Sequence, residues 1–200
     1  MVTDMDEIKS AREIAAEKVA RLGEVTEEER LEWKYVPEGE KLATRYLTEG
    51  TNLVLELGKY DEGVRKYVTT GVANVLVRSI GLPDSDLAKR NNKRAMDGLK
   101  LVKSNQIALE NAYSQMRRIF DHYLGQGAEQ RQQAYQALKA EFEAQVGQAL
   151  QQQLGVLGKF RIDVEKQPQF QAEWRRRQIQ LDAQYLKLLD ELKQELAAIS

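Results

Sequence analysis

Apolar residues recur every three or four positions along most of this chain, the spacing that lines one face of an α-helix. Ile8, Ala11, Ala15, Val19 and Leu22 form the first such stripe. Thr3 and Asp6 stand before it at capping-box spacing and Gly23 follows it, so the pattern predicts a helix over 4–22. Thr26, followed by Glu27, Glu28 and Glu29, predicts a second and shorter helix whose acids lie at the positive end of its dipole. Pro37 should end that helix, because proline lacks a backbone donor and crowds the preceding turn. Further short helices are expected around 40–49 and 52–57. Val64, Val68, Val72, Val75 and Ser79 lie along one line. Their spacing outweighs the preference of valine for strands and predicts a helix over 61–80, closed by Gly81 and Pro83.

The pattern then lengthens. From 86 to 124 there is no proline and a single glycine, Gly98, while Leu87, Ala95, Leu99, Val102, Leu109, Tyr113, Met116, Phe120 and Leu124 keep the helical period. One helix of about 39 residues, roughly 58 Å long, is expected there. The stretch "GQGAEQ" predicts a tight reversal, after which Tyr135, Leu138, Phe142, Val146, Ala149 and Leu150 predict an antiparallel helix over 128–154. Phe160, Ile162 and Val164 alternate with Arg161, Asp163 and Glu165, the period of a strand. A lone strand near 159–165 must pair with another segment or a partner chain, or lie extended on the bundle. A last helix is expected from Gln169 to Ile199. The fold class is therefore all-α: a long antiparallel helical hairpin plus a third long helix, bundle-like or coiled-coil-like. A helical amino-terminal region over 1–83 precedes this long-helix bundle over 84–200.

Within the last helix, Phe170, Trp174, Leu181, Tyr185, Leu188, Leu192 and Ile199 fall within about 40° of one direction and make a candidate interaction seam. The neighbouring tract "QPQFQAEWRRRQ" looks at first like a basic recognition element. Spacing separates its parts. Pro168 starts the helix, and Arg175, Arg176 and Arg177 diverge by about 100° per residue, two flanking the seam and Arg176 facing outward. Glu173 stands four residues before Arg177, a favourable spacing for a surface ion pair.

Composition narrows the chemistry. The 200 residues carry 30 basic and 31 acidic side chains, without the basic excess of a dedicated nucleic-acid or membrane-surface protein. There is no cysteine, which rules out disulfides, thiolate chemistry and zinc–thiolate sites and fits a reducing cytoplasm. All 19 glutamines fall at or after Gln106. The opening "MVTDMDEIKS" is too acidic and polar for a secretory signal, and no apolar run approaches the roughly 18 residues of a membrane span. His122 is the one histidine, and Ile119 occupies the position where a Glu-x-x-His diiron motif needs glutamate. Asp121 points about 100° away from it on a helix. Gly155 and Gly158 lack the Gly-Lys-Ser/Thr of a phosphate loop. No catalytic, cofactor-binding or metal-ligating residue is expected.

One charged constellation stands out. Lys89, Arg90, Lys93, Lys100 and Lys103 lie roughly opposite the Leu99–Val102–Leu109 stripe within about 140° of arc, interrupted only by Asp97. This candidate basic face supports an alternative role as a nucleic-acid-binding accessory protein. The leading expectation is a non-enzymatic scaffold or adaptor that associates with itself as a homodimer or higher oligomer, or with a protein partner, and not with a membrane. Long helices with uncovered apolar seams tend to bury them against one another.

The stretches "DEIKSAREIAAEKVARLG" and "IDVEKQPQFQAEWRRRQIQLDAQY" resemble an uncharacterised bacterial family of helical proteins of roughly this length, a domain of unknown function. The resemblance implies a helical fold. It brings no established activity and no functional residue to carry over.

Overall fold

A computed structural model describes residues 25–154 and 163–200. Thr26 opens the first described helix, α1 (Glu27–Glu49). Its Oγ1 accepts the Glu29 amide at 3.2 Å, and the Glu29 carboxylate accepts the Thr26 amide at 2.8 Å, a reciprocal cap. α2 (Leu53–Leu57), α3 (Glu62–Ser79), α4 (Asp86–Val102), α5 (Gln106–Leu124) and α6 (Gln126–Leu154) follow. A 3-10 turn (Val164–Lys166) leads into α7 (Pro168–Ala198). The fold is all-α, and among the described residues there is no strand. No helix among them is long and apolar enough to cross a membrane. The helix expected over 4–22 lies outside the described residues.

Four sequence expectations are corrected. The first concerns Pro37, which does not end its helix: α1 runs through it to Gly50, whose φ of 82° closes the last turn. An interior proline costs a helix about 3 kcal/mol or more, and tertiary packing offsets that cost here. α1 and α3 cross with backbone against backbone. A β-carbon at Gly39 would lie 2.0 Å from the Val68 carbonyl oxygen, and one at Gly71 would lie 2.1 Å from the Val36 carbonyl oxygen. Val68, Val72 and Leu76 are fully buried around this crossing.

The second correction breaks the helix expected over 86–124. Lys103 leaves helical geometry, with φ −99° and ψ 135°, and Asn105 starts α5 by accepting the Ala108 amide at 3.1 Å. The amides of Ser104 and Asn105 are satisfied instead by the backbone oxygen of Ser200, at 3.0 and 3.1 Å. A distant segment thus completes the corner, which is why the unbroken apolar period gave no sign of it.

The third concerns the strand near 159–165. Residues 155–162 lie outside the described part, but Val164 to Lys166 form a 3-10 turn. Val164 is plugged into the bundle, Asp163 pairs with Lys166 at 2.8 Å, and Pro168 begins α7 at once. Of the alternating apolar positions Val164 therefore lies in a turn, while Phe160 and Ile162 lie outside the described residues.

The fourth concerns the tight reversal expected at "GQGAEQ" and the antiparallel pairing of the helices on either side of it. Gly125 carries the chain from α5 into α6 without reversing it. α7 runs antiparallel to both, with Lys103 facing Ile199 and His122 facing Tyr185 along α5, and Arg131 facing Asp182 and Phe142 meeting Phe170 along α6. α5 and α6 therefore point the same way, and the long hairpin is formed by α7 against the two of them. Leu42, Leu53, Val72, Leu76, Leu99, Leu109, Tyr113, Leu189 and Leu196 belong to one apolar core, which draws on both sides of the boundary expected at 83. An aromatic group holds the other end of the α6–α7 pair. The Tyr135 ring meets Phe170 edge-on at 5.5 Å and Trp174 at 5.0 Å, and Phe142 meets Phe170 at 5.4 Å.

Candidate functional site

The five residues of the basic face do not stay together. Lys103 turns away: its ammonium donates to the carbonyl oxygens of Ala197, at 3.2 Å, and of Ile199. These are carbonyls at the negative end of α7, where a cation is favoured. Burial holds the Lys103 pKa below its ordinary value. Lys89, Lys93 and Lys100 instead line a groove of about 310 Å³ between α4 and α5, while Arg90 lies outside its lining. Met96, Tyr113, Phe120 and Leu124 give the groove an apolar and aromatic floor.

α5 contributes a cation that the sequence reading missed. Arg117 shares Glu110 with Lys100, at 3.2 and 2.6 Å, and both hold the Glu110 carboxyl below its ordinary range, Lys100 foremost. Lys100 also lies 5.7 Å from the Tyr113 ring centroid. The Tyr113 hydroxyl donates to the Met96 carbonyl oxygen at 2.8 Å, and burial, reinforced by Glu110 and Asp97, pushes its pKa far up. Lys89 pairs with Asp86 at 3.2 Å. At the groove's end, buried Asn92 takes the Gly81 amide at 2.9 Å and donates to the Gly81 carbonyl oxygen at 2.7 Å. Arg117 stands seven residues after Glu110, a same-face spacing that was legible once the helix was known to restart at Gln106.

The candidate seam on α7 is turned inward at its two ends, while Leu188 in its middle is 48% exposed. Phe170 is buried and Trp174 half-buried against the α6 aromatics. Leu192 is buried in the main core, and Ile199 packs against it. Leu181, Tyr185 and Leu188 line a cavity of about 510 Å³ with Arg118, Ile119 and His122. Nδ1 of His122 lies 2.8 Å from the Tyr185 hydroxyl, and Tyr185 meets the Tyr123 ring edge-on at 5.2 Å. Arg131 stacks 3.9 Å over Tyr123, donates to the Tyr123 carbonyl oxygen at 2.9 Å and pairs with Asp182 at 3.5 Å. Desolvation outweighs that arginine and leaves the Asp182 pKa raised.

Of the arginine tract, Arg175 and Arg176 are exposed. Arg177 reaches Glu173 at 3.5 Å, the expected pair, and Glu141 on α6 at 2.9 Å. The outer face of α7 carries apolar residues the seam did not include: Ile179 is 69% exposed and Leu186 is 50% exposed, one heptad apart. Among the described residues, no group of three or more His, Asp or Glu side chains converges in a way that would hold a metal ion.

No curated protein and no solved structure matches the chain. A family model does match, over residues 55–198, a span that takes in the "IDVEKQPQFQAEWRRRQIQLDAQY" stretch but not the "DEIKSAREIAAEKVARLG" stretch. Helices α3 to α7 and both cavities lie within that span, and the chain belongs to the family it defines, a family of unknown function (DUF6657).

Proposed function

We propose that this protein is a non-enzymatic helical scaffold that associates with itself through the outward face of its α6–α7 pair, and acts in the cytoplasm. The observation that carries this reading is the exposure of Ile179 and Leu186 on one line of α7. Heptad spacing suits the same helix of a second copy, which would bury both residues about a two-fold axis. Phe170, Trp174, Leu192 and Ile199 of the expected seam pack within the bundle, and the reading therefore moves self-association to the opposite side of the same helix. Polar side chains support an architectural role. Asn92, Lys103, Tyr113 and Arg131 each donate to a backbone carbonyl oxygen of another element and so tie neighbouring elements together.

The nucleic-acid reading is weaker. Lys103 is withdrawn, Lys100 is paired with Glu110 and Lys89 with Asp86. Among the described residues, Arg90 and Lys93 remain as the members of that face without an acidic partner, too few to track a phosphate backbone.

Light scattering across a concentration series tests the scaffold reading. The expected mass rises toward a dimer, and a double Ile179→Lys, Leu186→Lys variant stays monomeric with an unchanged helical circular-dichroism spectrum. A native chain that remains monomeric throughout overturns the self-association.

A further inference from the structure

We propose that the α4–α5 groove is a binding site for a small amphiphilic carboxylate, an acyl chain ending in one acidic group. Three observations carry this. The first is the shape and lining of the groove: about 310 Å³, with Met96, Phe120 and Leu124 offering apolar surface above the buried ring of Tyr113. That volume lies at the small end of ligand pockets and holds an acyl chain of roughly eight to ten carbons.

The second is the charge around its mouth. Lys89, Lys93, Lys100 and Arg117 stand on the lining with one carboxylate, Asp97. Asp86 neutralises Lys89, and Glu110 is shared by Lys100 and Arg117. Three acids therefore face four bases, and Lys93 is the cation of the lining with no acidic partner among the described residues. A single surplus charge matches a carboxylate better than a doubly charged phosphate.

The third is rigidity. The bridge from Lys100 through Glu110 to Arg117 ties the two walls together, and the Tyr113 hydroxyl bond to Met96 does the same beneath it. A site held open in advance loses less freedom on binding than one that must be assembled. An apolar body buried on this floor supplies affinity, while the Lys93 ammonium orients the acid toward solvent at the rim.

The protein contains four methionines; of the two among the described residues, Met96 lines the groove and Met116 is buried in the core. The experiment is a titration of the full-length chain, labelled with ¹³C at its methionine methyl groups, with octanoate and separately with octan-1-ol. Saturable movement of the Met96 resonance with octanoate, at least tenfold tighter than with octan-1-ol, is the expected result. Lys93→Glu should weaken octanoate roughly tenfold and leave octan-1-ol unchanged. Arg90→Glu makes the same charge change on the same helix outside the lining and should alter neither. An unmoved Met96 resonance overturns the proposal. Equal affinity for the alcohol overturns the acid recognition, as does an Arg90→Glu loss equal to that of Lys93→Glu, which would mark general surface attraction.

Discussion

Gly39 and Gly71 face each other across the α1–α3 crossing, each so close to the opposite backbone that a β-carbon on either would fall near 2 Å from a carbonyl oxygen. Those oxygens belong to Val68 and Val36, neither of which can retreat without moving its helix. Gly39→Ala and Gly71→Ala should each destabilise the fold by about 3 kcal/mol or more, beyond the small gain in helix propensity. The double variant should lose less than the two single losses together, because helices already parted for one β-carbon accommodate the second. Urea unfolding of the three variants measures both effects.

Tyr113 gives the fold a dependence on alkaline pH. Burial raises its pKa above the ordinary 10.0, so the folded chain keeps a proton that the unfolded chain releases. Its contribution is then constant below about pH 10 and falls as pH rises beyond it. Burial also raises Tyr46, Tyr60 and Tyr123, which add to the same slope. Urea midpoints taken from about pH 8 to 11 should decline across that range, and Tyr113→Phe should decline less steeply. At neutral pH the same variant should lose about 1 kcal/mol, the worth of its bond to the Met96 carbonyl.

Asn92 is the buried polar residue that secures the link between α3 and α4. Both functions of its amide are used on Gly81. Asn92→Asp keeps the shape but loses the donor, and should cost about 2 kcal/mol by unfolding in urea at pH 7. Asn92→Leu strands the Gly81 amide and carbonyl together and should cost more.

Lys103 and Ser200 complete the α4–α5 corner together. Lys103→Met removes the cation from the end of α7 while keeping most of the apolar stem. Amide hydrogen exchange should accelerate at Ser104 and Asn105, which donate to the Ser200 oxygen, and stay unchanged at Val68 and Val72 in the distant crossing.

Much of the helical architecture was legible because the period of apolar residues repeats locally. The stripe from Val64 to Ser79 and the seam beginning at Phe170 and Trp174 are read within a few turns of chain, and both lie on helices as expected. What escaped reading depends on contacts made elsewhere. Pro37 is tolerated because two glycines, 32 positions apart, let backbones touch. The break at Lys103 hangs on an oxygen contributed by Ser200. Lys89, Lys93 and Lys100 were recognised as one face, but Arg117 joins them only after the chain turns that corner. Ile179 and Leu186 were passed over because the stronger stripe on the same helix drew the apolar signal to itself.

The corner also sets an order of events. Ser104 and Ser200 are separated by 96 positions, and their contact closes a segment that includes all of α5, α6 and α7. Local turns of helix form in about a microsecond, whereas a contact of such span must wait for the segments between to settle. The α4–α5 junction is therefore a late product of folding, sealed when α7 docks. Until then Lys100 and Arg117 have no fixed spacing, and the groove they border does not exist.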